Sequence, residues 1–172
     1  MNIIILANII SLVASILMVI GGFFKSKKIC LILLCVQLSI VVIAACMLNA
    51  ISSIIVNSIS IFRNVLVYKN RVNTTIKIIM IIAVGIFITV FAHNFIDFLP
   101  FIAFLICTCV LDIVDDIQFK WLTNVVMILW TIYDFSFNAY VFFIFDILFM
   151  ISNNITLFKM YKEKQSIYAN IK

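Results

Sequence analysis

The sequence predicts an all-α integral membrane protein with seven transmembrane helices. The chain is 66% hydrophobic and only 11% charged, and its mean hydropathy is +1.31. A soluble domain has about 25% charged residues, so this chain has too few charges to cover a surface in water. Its charges also fall into short clusters between long apolar runs, which is typical of a chain that crosses a bilayer several times. The net charge of +5 therefore indicates membrane orientation, and we expect no binding to nucleic acid.

The spacing of the charge clusters predicts the number of helices. The first apolar run, 3–22, is about 20 residues long and matches a hydrocarbon layer of about 30 Å. Two later runs, 29–62 and 78–111, each hold about 34 residues, which is about 51 Å of helix and too long for one crossing. Each of these runs is therefore predicted to be a hairpin. The seven predicted spans are 3–22, 29–47, 51–68, 76–92, 98–114, 118–134 and 139–158.

The basic residues predict the orientation. The predicted spans place all 12 Lys and Arg residues on one side of the membrane or at its edge, whereas the turns on the other side hold only His93, Asp97 and Asp134 as ionisable residues. Because the cytoplasmic side is normally the positive one, we expect the N-terminus outside and the C-terminus inside. An arrangement with six crossings would put basic clusters on opposite sides. The seven-helix arrangement depends most on the connection at 47–51, where Asn49 begins a turn that contains no Gly or Pro.

Seven crossings divide into three, one and three, and crossings 1–3 then share their orientation with crossings 5–7. A parallel repeat is therefore expected. The third helix of each triplet begins at an Asn-Ala pair, has an amide near its end and stops at a lysine. The matching residues are Asn49 with Asn138, Asn64 with Asn154, and Lys69 with Lys159.

The repeat predicts a single transmembrane domain over 1–172. It comprises a first triple-helix bundle (1–71), a linker helix (72–95), a second triple-helix bundle (96–162) and a cytoplasmic tail (163–172).

Short motifs along the chain resemble one known family. The Arg63-Asn64 ending of the third helix, the WxxYD pattern of residues 130–134 and the Asn153-Asn154 pair of the seventh helix resemble YgjV-type bacterial inner-membrane proteins. These proteins are in turn similar to the SWEET and PQ-loop transporters. The resemblance implies an inner-membrane location and two triple-helix bundles around a central solute path. The chain departs from those carriers because it has no Pro-Gln dipeptide and its only proline is Pro100.

One face of the third helix carries polar residues. Asn57, Ser60 and Asn64 recur at i, i+3 and i+7, which places them on one side of a helix. Polar side chains are costly in lipid, so this face is expected to meet other helices or a cavity. Two interpretations stay open, namely interhelical hydrogen bonds worth about 0.6 kcal/mol each and the wall of a solute path. Arg63 is expected to extend its side chain to the cytoplasmic edge.

The sixth and seventh helices add further candidates for the solute path. Asp146 lies about seven residues from the outer end of its helix, near mid-membrane, and must be protonated, paired with another helix or hydrated. Asn153 shares its face, and Asn154 lies beside it. Trp130 either belongs to the interfacial aromatic belt or faces inward as a platform for a solute. A solute path would lie between the third and seventh helices.

Enzymatic chemistry is not expected. Asp112, Asp115 and Asp116 resemble the start of a Mg²⁺-binding motif, but the residues that follow do not continue it, which favours a solvated loop. His93 is the only histidine, so the sequence offers no metal site and no Ser-His-Asp triad, and we expect no cofactor. The five cysteines have no metal-ligand spacing and are expected to pack as small apolar residues.

The sequence leaves two functions open. The first is a transporter that moves a small polar solute by alternating access. The second is a membrane protein that does not transport but supports or assembles with a partner. The expected partners are the lipid bilayer, a small polar solute and, as an open alternative, further copies of the chain.

Overall fold

The chain folds into seven α-helices and one short 3-10 helix within the part that the computed structural model describes, namely residues 3–48, 51–91, 94–137 and 139–171. This part contains no strand. The turn residues Asn49 and Asn138, and the single His93, lie outside it. The elements are α1 (Ile3–Gly22), α2 (Lys27–Met47), α3 (Ile51–Tyr68), α4 (Thr74–Phe91), the 3-10 helix (Phe95–Phe98), α5 (Leu99–Val110), α6 (Asp116–Ser136) and α7 (Tyr140–Ile171).

The helix bounds follow the predicted spans, with a clear difference at α5. The spans 3–22 and 51–68 agree with α1 and α3 at both ends. The predicted span 98–114 is longer than α5, which ends at Val110 and is followed by a turn. Asp115 determines this difference, since its carboxylate accepts a hydrogen bond from the backbone N–H of Gln118 at 2.7 Å and caps α6. The Gln118 side chain accepts one from the Asp115 N–H at 3.1 Å, which completes a capping box.

The last helix is longer than its predicted span 139–158. α7 holds 32 residues, about 48 Å of helix, whereas the hydrocarbon layer is about 30 Å thick. The segment 163–172, which was expected to be a cytoplasmic tail, is helical as far as Ile171. Two residues explain why α5 starts where it does: Asn94 opens the 3-10 helix with a capping box, and Pro100 lies in the first turn of α5, where its missing N–H is tolerated.

The outer surface of the bundle is apolar, as a lipid-facing surface must be. Three helices are long and apolar enough to cross a membrane, and the described parts of α3, α4 and α5 form shorter apolar helices. α4 exposes Ile79, Ile82, Ile86 and Val90, which recur along one side and are each more than half exposed. An apolar surface of this extent would be a liability in water.

Two groups of consecutive helices pack side by side. In the first group α2 contacts both α1 and α3, and in the second α6 contacts both α5 and α7. An extensive contact between α1 and α7 joins the groups, whereas α4 contacts α3 and α5 less extensively. One apolar cluster includes Phe119 of α6 and Leu31 of α2, and another joins Val84 of α4 to Phe104 of α5.

Charged residues meet at one end of the bundle, which we call the charged end. The backbone N–H of Lys27 donates to Asp116 at 2.8 Å, and the Lys27 ammonium donates to the carbonyl of Val114 at 2.8 Å. Lys77 at the start of α4 forms an ion pair with Asp112 after α5, with 2.7 Å between Nζ and Oδ1. Lys25 pairs with Glu163 of α7.

These contacts add structural roles to the aspartate cluster at residues 112–116. It was expected to be a solvated loop, and Asp115 and Asp116 are exposed, while each carboxylate also has a structural partner. Asp112 binds an ammonium group, Asp115 caps α6, and Asp116 accepts from the first backbone N–H of α2.

Candidate functional site

A cavity of about 210 Å³ lies in the centre of the bundle. α1, α2, α3, α5, α6 and α7 all contribute to its wall, and α4 contributes none of the lining residues. Its size suits several water molecules or one small solute. Most of the wall is apolar, and its polar lining residues are Ser15, Gln37, Asn57, Ser60, Arg63, Asn64, Thr123, Asp134 and Asp146.

The polar face predicted for α3 forms one side of this cavity. Asn57, Ser60 and Asn64 all line it, because their helical spacing puts them on the side of α3 that faces the other helices. The Asn57 amide donates to Ser53 one turn earlier, at 3.0 Å. Asn64 is 1% exposed and Ser60 is 8% exposed, so this face meets the interior.

Arg63 differs from the expectation that it extends to the cytoplasmic edge. Its side chain is only 7% exposed and it lines the cavity. Nε and Nη2 donate to the same oxygen, Oδ1 of Asn64, at 3.2 and 3.0 Å. The guanidinium carbon lies 5.1 Å from the centre of the Phe104 ring, a cation–π contact that holds the group inward. Arg63 forms no ion pair with any acidic side chain in the described ranges.

Two carboxyl groups meet in the same cavity. Asp146 of α7 is 4% exposed, and its carboxyl interacts with that of Asp134 near the end of α6. Oδ2 of Asp146 is buried without a hydrogen-bond partner among the residues that the structure describes. Trp130, one turn before Asp134, also lines the cavity and contacts Tyr133 edge to face at 5.8 Å between ring centres.

Asn153 and Asn154 lie outside the cavity wall and join α7 to α6. The Asn153 amide donates to the carbonyl of Lys120 and to Oδ1 of Asn124, both at 2.8 Å, and to the hydroxyl of Thr123 at 3.2 Å. Asn124 in turn donates to Asn154 at 2.8 Å. A buried network of this kind rigidifies a helix pair.

A second set of contacts joins α1 to α6 and α7 near the charged end. Lys120 is 1% exposed, and its ammonium donates to the carbonyl of Gly22 at 2.8 Å. The hydroxyl of Ser152 donates to the carbonyl of Val19 at 3.1 Å. A Cβ placed on Gly22 would lie 1.9 Å from Oγ of Ser152, so only glycine allows the two helices to approach this closely.

Sequence reasoning left three of these residues out of the candidate site. Asp134 was placed in an outer turn, and its spacing of four from Trp130 was the signal that it shares the inward face. Lys120 was assigned to a cytoplasmic charge cluster, and Asn124 carried no pattern of its own. Their roles depend on which helices are neighbours, and the sequence does not state that.

The residues that could bind a metal ion are dispersed in the part of the chain that the structure describes. Within the four described ranges, no group of three or more His, Cys, Asp or Glu residues is arranged to hold a metal ion. The cysteines in this part of the chain are free thiols, and Cys107 lines the cavity as a small apolar residue.

An apolar outer surface around a polar interior defines the class of this chain as an α-helical integral membrane protein. The sequence model of the Imp-YgjV family, described as a bacterial inner membrane protein, matches residues 5–164. The chain therefore belongs to the Imp-YgjV family, as the motifs around Arg63, Trp130 and Asn153 predicted. No curated protein and no solved structure matches the chain. The similarity to SWEET and PQ-loop transporters stays a prediction.

Proposed function

We propose that the chain binds a small polar solute in the central cavity and carries it across the bacterial inner membrane by alternating access. The observation that carries this proposal is the cavity itself, a mostly apolar space whose wall holds two carboxyl groups and a guanidinium. Burying ionisable groups in a bilayer is expensive, and they normally mark the path of a solute or ion.

The proposal includes seven crossings, an outside N-terminus, a cytoplasmic C-terminus and a 3+1+3 arrangement. Several observations support it. The links of Lys27, Lys77 and Lys120 gather the basic clusters at one end of the bundle, as expected for a cytoplasmic face. The cavity wall draws on the three helices on each side of α4 and not on α4 itself, which suits the role of a linker.

A second candidate function is assembly with a partner without transport. The single proline favours it, because Pro100 lies at the start of α5, so the helices that the structure describes have no interior proline of the kind that kinks a helix. The two candidates differ in one measurable property, which is solute movement across a sealed bilayer.

Uptake by the purified protein in liposomes tests the proposal. The vesicles are incubated with a panel of small polar solutes, and the contents are measured by mass spectrometry. We expect at least one solute to accumulate, and Asn57→Ala and Asp146→Asn to reduce its uptake by about tenfold. Asn154→Ala, outside the cavity wall, is the matched control and should transport normally. No accumulation of any solute in the panel would favour the partner-assembly function.

Labelling of introduced cysteines tests the orientation. In a variant without the five native cysteines, Phe137→Cys at the end of α6 should react with a membrane-impermeant maleimide on intact cells. Arg71→Cys, which follows α3, should react only after permeabilisation. Both positions are exposed. Equal labelling of the two positions on intact cells would contradict the proposed arrangement.

A further inference from the structure

The cavity contains a positive group that the protein does not neutralise. The Arg63 guanidinium carries five N–H donors, yet its hydrogen bonds in the described structure use two nitrogens and go to one amide oxygen of Asn64. Its other contact is the face of Phe104. No described carboxylate pairs with it. An arginine at an interior wall, with donors left over, is suited to bind a carboxylate in the forked geometry that guanidinium groups prefer.

Acidic groups, the counterpart of Arg63, lie elsewhere on the same cavity wall. Asp134 and Asp146 interact with each other, and one oxygen of Asp146 is buried without a hydrogen-bond partner in the described residues. Two neighbouring carboxyl groups attract a cation or a strong hydrogen-bond donor. Trp130 lies one turn from Asp134 on the same wall, and an aromatic face near carboxylates favours an ammonium group through cation–π attraction.

These unlike groups line one cavity but do not pair with each other. Given that the cavity is a solute site, as proposed above, we infer that its ligand is a small zwitterion. The carboxylate of this ligand binds Arg63, and its ammonium group binds the Asp134–Asp146 pair beside Trp130.

Other ligand classes leave part of this site unmatched. A simple anion satisfies Arg63 but leaves the carboxyl pair without a donor. A simple cation satisfies the carboxyl pair but leaves the guanidinium without an acceptor. A neutral sugar neutralises neither group, and burying unpaired charges is costly. A zwitterion matches both groups and adds no net charge to the interior.

Binding to the purified full-length protein in lipid nanodiscs tests this inference by calorimetry. The probes are three matched sets, each with a zwitterion, the anion and the amine of equal carbon number. The sets are glycine, acetate and ethylamine; β-alanine, propionate and n-propylamine; and γ-aminobutyrate, butyrate and n-butylamine. We expect at least one zwitterion to bind about tenfold or more tightly than both of its matched partners. If no zwitterion exceeds both partners, the inference is overturned, whatever the variants do.

Variants assign the two ends of the ligand. Arg63→Gln should weaken zwitterion binding by roughly 30-fold or more, the loss expected when one partner of a buried charge pair is removed, and should abolish the advantage over the matched amine. Asp146→Asn should abolish the advantage over the matched anion. The controls are Arg71→Gln and Glu163→Gln, which change exposed residues and should bind like the wild type. Equal losses in variants and controls would contradict the assignment, and a misfolded Arg63 variant would leave the wild-type panel as the deciding measurement.

Binding and uptake together distinguish the inferred ligand class from the proposed transport function. Tight binding of a zwitterion without uptake into liposomes would refute the transport function and leave the ligand class standing. Uptake of a neutral or purely anionic solute, without zwitterion binding, would support transport and overturn the ligand class.

Discussion

Replacing Gly22 by alanine would test the contact that joins α1 to α7. A Cβ at this position would lie 1.9 Å from Oγ of Ser152, 3.0 Å from Cβ of Ser152 and 3.2 Å from the backbone nitrogen of Asn153. The hydroxyl oxygen can rotate away, but the other two atoms cannot move without their helix. The substitution therefore forces α1 and α7 apart.

The expected loss of stability has two parts. Rotating the Ser152 hydroxyl breaks its hydrogen bonds to the carbonyls of Val19 and Phe149, at 3.1 and 2.9 Å, which costs about 1–2 kcal/mol. Separating the two helices is an overpacking strain of about 1–3 kcal/mol. Alanine has a helix propensity up to about 1 kcal/mol better than glycine, which offsets part of this loss.

Gly21→Ala is a matched control, because its Cβ would lie 3.9 Å from the nearest atom, Cβ of Leu33. Gly21→Ala gains a similar amount of helix propensity without the clash. The difference in the free energy of unfolding between the two variants therefore measures the clash, at about 2–5 kcal/mol. This corresponds to a difference in Tm on the order of 10 °C, measurable by thermal unfolding in detergent. Combining Gly22→Ala with Ser152→Gly should restore part of the loss. If both alanine variants unfolded at the same temperature, the close approach of α1 and α7 would be refuted.

Three further tests concern the hydrogen bonds and one ion pair. Asp115→Ala removes the cap of α6 and should lower stability by about 1 kcal/mol in thermal unfolding; an unchanged Tm would contradict the capping role. Asn153→Leu should cost about 2–4 kcal/mol because three acceptors lose their donor, whereas the exposed Asn154→Leu should cost clearly less, and equal losses would refute the network. A double-mutant cycle of Lys77→Met and Asp112→Asn should give a coupling of about 0.5–1 kcal/mol that falls at high salt, and a salt-independent value would count against an ion pair.

The sequence predicted those features that depend on residues close together in the chain. The charge clusters around Lys27 and Lys77 mark where α2 and α4 begin, because a charged side chain is excluded from the lipid interior. The spacing of Asn57, Ser60 and Asn64 identified the interior face of α3, because a helix repeats its direction about every 3.6 residues. Both signals are local, and both agree with the structure.

The features that sequence reasoning missed depend on contacts between distant helices. Arg63 was expected at the cytoplasmic edge because it is near the end of α3, but Phe104 on α5 supplies an inward surface for its guanidinium. Asp134 was taken as a turn residue because it ends the predicted span 118–134, whereas Asp146, which lines the same cavity, lies twelve positions later on another helix. The length of α7 was also missed, because the residues from Glu163 onward are mostly polar and resemble a loop in composition.

The polar links between the first three and last three helices are unevenly placed along the bundle. Those made by Lys25, Lys27, Lys120 and Ser152 all lie at the charged end. At about 0.5–1.5 kcal/mol for each hydrogen bond, and less for the exposed Lys25–Glu163 ion pair, they add several kcal/mol of resistance to separating the two halves there. Parting the halves at the opposite end breaks none of them. Among the residues that the structure describes, these polar links thus form a hinge at the charged end, where separating the two groups of helices costs most.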